Sequence, residues 1–372
     1  MTPTSESLAD LLEHLVNIPS LSGQEHALAD LLEARLTAAG NGEVLRTRRS
    51  LVWRGPQQER PLVVLAGHID TVGPQGNAVA RRENGNGTER GMGDSMGNSM
   101  GNIVGLGATD MKSGIAVMLG LIEGVDFARA RFDVACVFYE CEEGPAAKNG
   151  LKRVLNKFRW LRGARLAVVL EPTDLNVEMG CNGTVNLEVR VPGVSAHAAR
   201  PWTGRNAVTV GAEWLATIGH TAVETVTVQG LEFRETLEVT RLRAGSARNV
   251  LPGEMIVNLN HRFTPNRTLD EAVARVRALV PESFGFKVRS SSPPGRVCLD
   301  DEEVQRFIQR FDVRVAGKQG WTDVARFTRR GIPAFNYGPG LAELCHRADE
   351  YCPIANLGVA YERLAAWLTA EA

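Results

Sequence analysis

Residues 61–70 read PLVVLAGHID, an apolar run that ends without a spacer on His68 and Asp70. The run has strand length and is apolar on both faces, as suits a strand covered by helices on both sides. Two later stretches repeat the arrangement. Val134–Tyr139 (VACVFY) leads into Cys141-Glu142-Glu143, and Leu166–Leu170 (LAVVL) leads into Glu171. Helical patterns lie between the runs, notably Met111–Glu123, so the chain reads as an α/β fold with a mainly parallel sheet. In open sheets of this kind ligands bind outside the carboxyl ends of the strands. Three apolar strands each deliver a histidine or carboxylates to that edge.

Working outward, the first twenty residues carry Leu8, Leu11, Leu12, Leu15 and Val16 at helical spacing. That pattern predicts an amphipathic helix and not a signal peptide. Ser22-Gly23-Gln24-Glu25 has the S-x-x-E form of a capping box, followed by a helix ending near Gly40. Residues 83–102 are rich in Gly, Asn and Ser and predict a surface loop. From Gly180 the texture changes. Thr184–Val191 and Glu254–Asn260 alternate as half-exposed strands do, with helical stretches at Asn206–Ile218 and Thr268–Leu279. This predicts an inserted α+β, ferredoxin-like domain. The expected partition is 1–179 and 294–372 for the catalytic domain, with 180–293 inserted.

Composition narrows the functional classes. Of 372 residues, 44% are hydrophobic and 23% charged, which is ordinary for a globular chain. The net charge of -1 from 42 basic and 43 acidic residues gives no electrostatic footprint for nucleic acid. No apolar run approaches the ~20 residues of a membrane span. The six cysteines are scattered without a CxxC pair, as reduced thiols of the cytoplasm would be.

Asp110, in the glycine-flanked turn GLGATDMKSG, and His346, in a late loop, complete a candidate metal set with His68, Glu143 and Glu171. Charges at the ends of buried strands are costly without a partner, and a cation supplies one. Histidine nitrogens and carboxylate oxygens suit Zn²⁺. Asp110 is placed to bridge two ions, and of the adjacent Glu142 and Glu143 one can ligate while the other serves as general base. Asp70, two residues from His68 on an extended segment, can hydrogen-bond the ring nitrogen that does not face metal.

The pieces GHIDTV, GLGATDMKSG, ECEEG, EPTD, SAHAARPWTGRNA, ARNVLPG and GWTDVARF, in this order, resemble the co-catalytic zinc aminoacylase/carboxypeptidase family over nearly the full chain. Within it they look most like the actinobacterial desuccinylase branch. The resemblance implies two zinc ions per subunit, with Co²⁺ as a possible substitute. One would be held by His68, Asp110 and Glu171, the other by Asp110, Glu143 and His346. It implies Glu142 as general base, Asp70 as partner of His68, and a homodimer whose inserted domain is also a lid. It further implies that His197 reaches the partner's active site as an oxyanion donor, and that Asn249, Arg262 and Arg326 contact substrate.

The expected reaction is hydrolysis of an N-acyl amino acid. The leading substrate is N-succinyl-LL-diaminopimelate, in lysine and cell-wall precursor synthesis. N-acetylornithine, an N-acyl-lysine and a dipeptide are rivals. The GATD wording before Asp110 departs from the family's usual turn and bears on that choice. A non-catalytic zinc-binding dimer and a metal-free α/β binding protein are readings from other classes.

Overall fold

The computed structural model describes residues 2–84 and 100–369. Most of the expected surface loop, residues 85–99, lies outside the described residues. On either side of them Arg81–Glu83 and Asn102–Val104 pair as antiparallel strands. The chain forms two compact units. One comprises Met1–Met179, Cys298–Ala316 and Arg326–Ala372; the other comprises Gly180–Val297 and Gly317–Ala325.

The first unit is built on a mixed eight-stranded sheet. Its order is Glu43–Thr47, Ser50–Arg54, Asp133–Tyr139, Leu62–His68, Leu166–Val169, Ala334–Asn336, Val177–Met179, Val315–Gly317. The four central strands run parallel, and the Leu62–His68 strand lies between the other two apolar runs. Its residues Val63 to Ala66 are fully buried, as are Val137 and Phe138 beside it. Each of the valine, leucine and phenylalanine side chains among them contributes about 1.5–3 kcal/mol on burial. At one edge the pairs are antiparallel and include a hairpin, Glu43–Thr47 with Ser50–Arg54.

The N-terminal helix Ser5–Val16 forms as its periodicity demands, and Leu8, Leu11, Leu12, Leu15 and Val16 are all buried. Its start is fixed by a capping box of Thr4 with Ser7. The helix Ser113–Gly124 is buried along nearly its whole length. A Cβ on Gly114 would lie 2.4 Å from the Leu170 carbonyl oxygen, so only glycine lets this helix begin against the strand end that carries Glu171.

The second unit runs strand Gly183–Pro192, helix Ala207–Gly219, strands Glu224–Val228, Leu231–Ala244 and Glu254–Phe263, helix Leu269–Ala278, strand Gly285–Ser292. Without Glu224–Val228 this is the βαββαβ order of a ferredoxin-like fold, with its strands interleaved accordingly. The additional edge strand comes from a hairpin at Gln229-Gly230, where both residues have positive φ as a type I′ turn requires. Alternate residues Val185, Leu187, Val189 and Val191 pack with Met255, Val257 and Leu259 beneath Trp214 and Val276 of the two helices. Among the described residues no helix is long and apolar enough to cross a membrane.

Candidate metal centre

Parallel pairing puts three chemistry-bearing segments at one sheet edge. His68 is the last residue of its strand and sits opposite Tyr139. Cys141, Glu142 and Glu143 follow two residues after Tyr139, and Glu171 follows two residues after Val169. Asp110 arrives from the turn before Ser113–Gly124, where Gly107 takes a left-handed φ of 80° and the Asp110–Met111 peptide is cis. His346 arrives from the loop after Ala342–Leu344, also with positive φ.

The convergence is tight. His68 Nε2 lies 3.0 Å from Asp110 Oδ1, and His346 Nε2 lies 3.4 Å from Asp110 Oδ2. The two oxygens of one carboxylate therefore face two different histidines. His346 Nε2 is also 2.8 Å from Glu143 Oε1. Ligand atoms of His68, Asp110 and Glu143 all lie within 4.8 Å of one another. Glu171 is buried, and its charge acts on His68.

The electrostatics describe a place short of positive charge. Burial opposes a charged His68, yet Asp110, then Glu171 and Asp70, hold its pKa well above the ordinary value. Hydrogen bonds to Asp110 and Glu143 raise His346 to about 10, against a partial opposition from burial. Asp110 is itself buried, which favours its neutral form, but the two histidines hold its carboxyl far below the usual range. A set of imidazole nitrogens and carboxylates sharing one buried aspartate fits divalent cations that bind through N and O.

A pH effect follows for metal-free protein. His346 has its pKa raised from 6.5 to about 10 on folding, so its contribution to stability is fully present below 6.5 and disappears as pH rises through about 10. Chelator-treated protein should therefore lose more melting temperature between about pH 6 and pH 10 than its His346→Gln variant does. Parallel melting curves for the two proteins would exclude this assignment.

Asp70 differs in detail from the sequence expectation. The His68 Nδ1 partner at hydrogen-bond distance is the Asp70 backbone oxygen, at 2.9 Å, while the nearest carboxylate oxygen is 3.6 Å away. The Asp70 carboxylate accepts instead from the amides of Glu142 (2.9 Å) and Glu143 (3.0 Å) and from Ser22 Oγ (2.5 Å). It thus holds the turn that bears the two glutamates. Burial pushes its pKa up, against the lowering influence of His68 and these donors.

Ser22 and Glu25 do not form the predicted capping box. The helix begins at His26 with no side-chain cap. Glu25 accepts from its own turn at Gly23 N (2.7 Å) and from Cys141 N (3.1 Å). A further residue, Glu350, carries no local sequence signal. It is 1% exposed and accepts from the amides of Thr109 and Asp110, both at 3.0 Å. Burial, helped by the charge of Asp110, pushes it up to about 7.

The candidate substrate residues are dispersed. Arg326, half-buried, donates to the Ala146 carbonyl three residues after Glu143. In the second unit the His197 segment bridges to Val250, and Ala198 N donates to the Asn249 carbonyl at 2.8 Å. His197 is exposed, and its Nδ1 accepts from Ala199 N at 3.0 Å. That bond fixes the neutral ring with its proton on Nε2. Arg262 is near the far end of strand Glu254–Phe263 and donates to Asn260 Oδ1 at 2.9 Å. At the usual rise per residue it stands about 25 Å from the Asn249 end.

Residues 64–370 match the Peptidase family M20/M25/M40. The chain belongs to this family. It is 34% identical over 365 residues to a putative succinyl-diaminopimelate desuccinylase DapE of Mycobacterium tuberculosis, covering 96% of this chain and 97% of that one. A tripeptidase from Staphylococcus aureus superposes with a TM-score of 0.78 at 20% identity, covering 99% of both chains. The YXEP protein of Bacillus subtilis, described as a dinuclear metal-binding peptidase, gives 0.69 at 13% identity, covering 98% of this chain and 97% of its own.

Proposed function

We propose that this chain is a two-zinc amidohydrolase that removes the acyl group from N-succinyl-LL-diaminopimelate, releasing succinate and LL-diaminopimelate. The observation that carries the metal reading is Asp110, whose two oxygens address His68 and His346 separately. His68, Asp110 and Glu171 would hold one ion, and Asp110, Glu143 and His346 the other. Bound there, the ions would supply Lewis acidity for the scissile carbonyl and for the attacking water. The substrate choice is supported by the identity to the mycobacterial relative along nearly the whole chain.

Glu142 takes a proton from the water as its oxygen adds to the acyl carbon. The same carboxyl returns that proton to nitrogen as the C–N bond breaks, giving an amine and a carboxylic acid, whose remaining proton passes to the amine to leave carboxylate and ammonium. Asp70 keeps Glu142 and Glu143 in place through their amides. His197, with its proton on Nε2, donates to the developing oxyanion. Arg262 offers a charged fork for a substrate carboxylate, Asn249 a further polar contact, and Arg326 a third.

One chain alone cannot bring His197 and Asn249 to the same small substrate as Arg262, given the length of strand between them. A homodimer would remove this difficulty, with one subunit supplying His197 and Asn249 and the other Arg262. In this reading 180–293 is both lid and dimer surface, and 1–179 with 294–372 is the catalytic domain. The six free cysteines suit a reducing cytoplasm.

The test is purified enzyme, stripped with chelator and reloaded with Zn²⁺ or Co²⁺, assayed against N-succinyl-diaminopimelate, N-acetylornithine, N-acyl-lysines and dipeptides. Activity should vanish on stripping, return on reloading and be greatest on the succinyl substrate. Highest kcat/KM on an acetyl compound or a dipeptide would move the enzyme to that reaction. Turnover indifferent to chelator would remove the metal.

A further inference from the structure

We propose that the Ser20–Glu25 turn is a positioning device for the turn that carries the catalytic base. The inference rests on Glu142 being that base. Three consecutive amides, of Cys141, Glu142 and Glu143, are each taken by a carboxylate: Glu25 accepts the first, Asp70 the second and third. Successive N–H groups of this kind form a concavity that favours anions. Cys141 has a positive φ of 57°, uncommon for a side chain with a Cβ, so the turn needs such outside support.

Both carboxylates are governed by the Ser20–Glu25 turn. Glu25 belongs to it, and Asp70 receives the Ser22 hydroxyl. The main chain stitches the turn to the segment after His68, with Thr71 N donating to Ser20 O (2.9 Å) and Ser22 N to Thr71 O (3.1 Å). On the other side a Cβ added to Gly144 would lie 3.0 Å from Ser22 Oγ, a close approach of the base-bearing turn to this hydroxyl. Glu25 is anchored in turn. Its Oε2 lies 2.6 Å from Arg49 Nε, which is also 2.8 Å from Glu140 Oε2, and Glu140 pairs with Arg153.

A buried ionic cluster seldom adds net stability over apolar packing. The ion pairs of this cluster nevertheless tie Glu25, Arg49 and Glu140 to one arrangement. Its output here is the direction of the Cys141–Glu143 backbone. A displaced base lowers the rate of proton transfer, whereas substrate affinity and metal retention draw on other groups.

The experiment uses the zinc-loaded enzyme and reads kcat, KM, bound zinc and melting temperature for Ser22→Ala, Ser22→Thr, Glu25→Gln and Glu142→Gln. Ser22→Ala should lower kcat about tenfold and Glu25→Gln about a hundredfold, the range for residues that orient a metal site's reacting groups. KM and zinc content should stay at wild-type values, and Ser22→Thr, which keeps the hydroxyl, should restore kcat. If Glu25→Gln does not fold, the half-buried Ser22 pair decides alone. Wild-type kcat in Ser22→Ala beside a dead Glu142→Gln overturns the positioning role and leaves the base intact. Loss of zinc in place of kcat overturns it too. An active Glu142→Gln removes the base, and this inference with it.

Discussion

Glu142→Gln should lose about 10²–10⁴-fold in kcat while binding zinc as the wild type does. The amide keeps the shape of the side chain but cannot accept a proton, and every proposed metal ligand is untouched. The main-chain bond from Glu142 N to Asp70 is also unchanged by the substitution. Asp70 is not available as a substitute base, because its two oxygens already receive Ser22 and two amides. Glu143 is engaged by His346 at 2.8 Å. Kinetics with metal analysis on the same preparation separates the two possible losses. A variant with full zinc and near-normal kcat would take Glu142 out of the reaction; a variant with no zinc would make it a ligand.

Much of this centre was legible in the sequence, for a specific reason. A strand apolar on both faces has to lie inside a covered sheet, and three of them ending on His68, Cys141-Glu142-Glu143 and Glu171 had to end at related places. Parallel pairing of the three strands then converts sequence position into spatial proximity. Local capping rules describe the structure where the partner is local, as in the capping box of Thr268 with Glu271 at the helix Leu269–Ala278. They failed where the partner is remote. Ser22-x-x-Glu25 has the same lettering, yet the Ser22 hydroxyl goes to a residue 48 positions away and Glu25 to one 116 positions away. The pattern records two hydrogen-bonding side chains near a helix start but not which amides they meet. Glu350 was invisible because its service to Asp110 spans 240 residues. The hairpin strand Glu224–Val228 was missed for a different reason. Its alternation covers only residues 225–228 and leaves both valines no more than half-buried, a short and shallow signal.

His197→Ala should lower kcat about 10²–10³-fold, the cost of losing one oxyanion donor, and the proposed partner-subunit role predicts a second result that a local role does not. Mix His197→Ala and Glu142→Gln proteins, each nearly inactive, under conditions that exchange subunits. In a mixed dimer, one metal centre keeps Glu142 and receives an intact His197 from the other chain. The second centre lacks both. Random exchange makes half the dimers mixed and half their sites whole, so activity should return to about one quarter of wild type. If His197 served its own chain, each centre of the mixed dimer would still lack one group and nothing would return. The geometry favours recovery: His197 and Asn249 lie together at one end of strand Glu254–Phe263 and Arg262 near the other. If these residues contact one small substrate, as proposed, two chains have to contribute them. Asn249→Ala in place of His197→Ala should be complemented by Glu142→Gln in the same way, because the two segments are joined through the Ala198 amide.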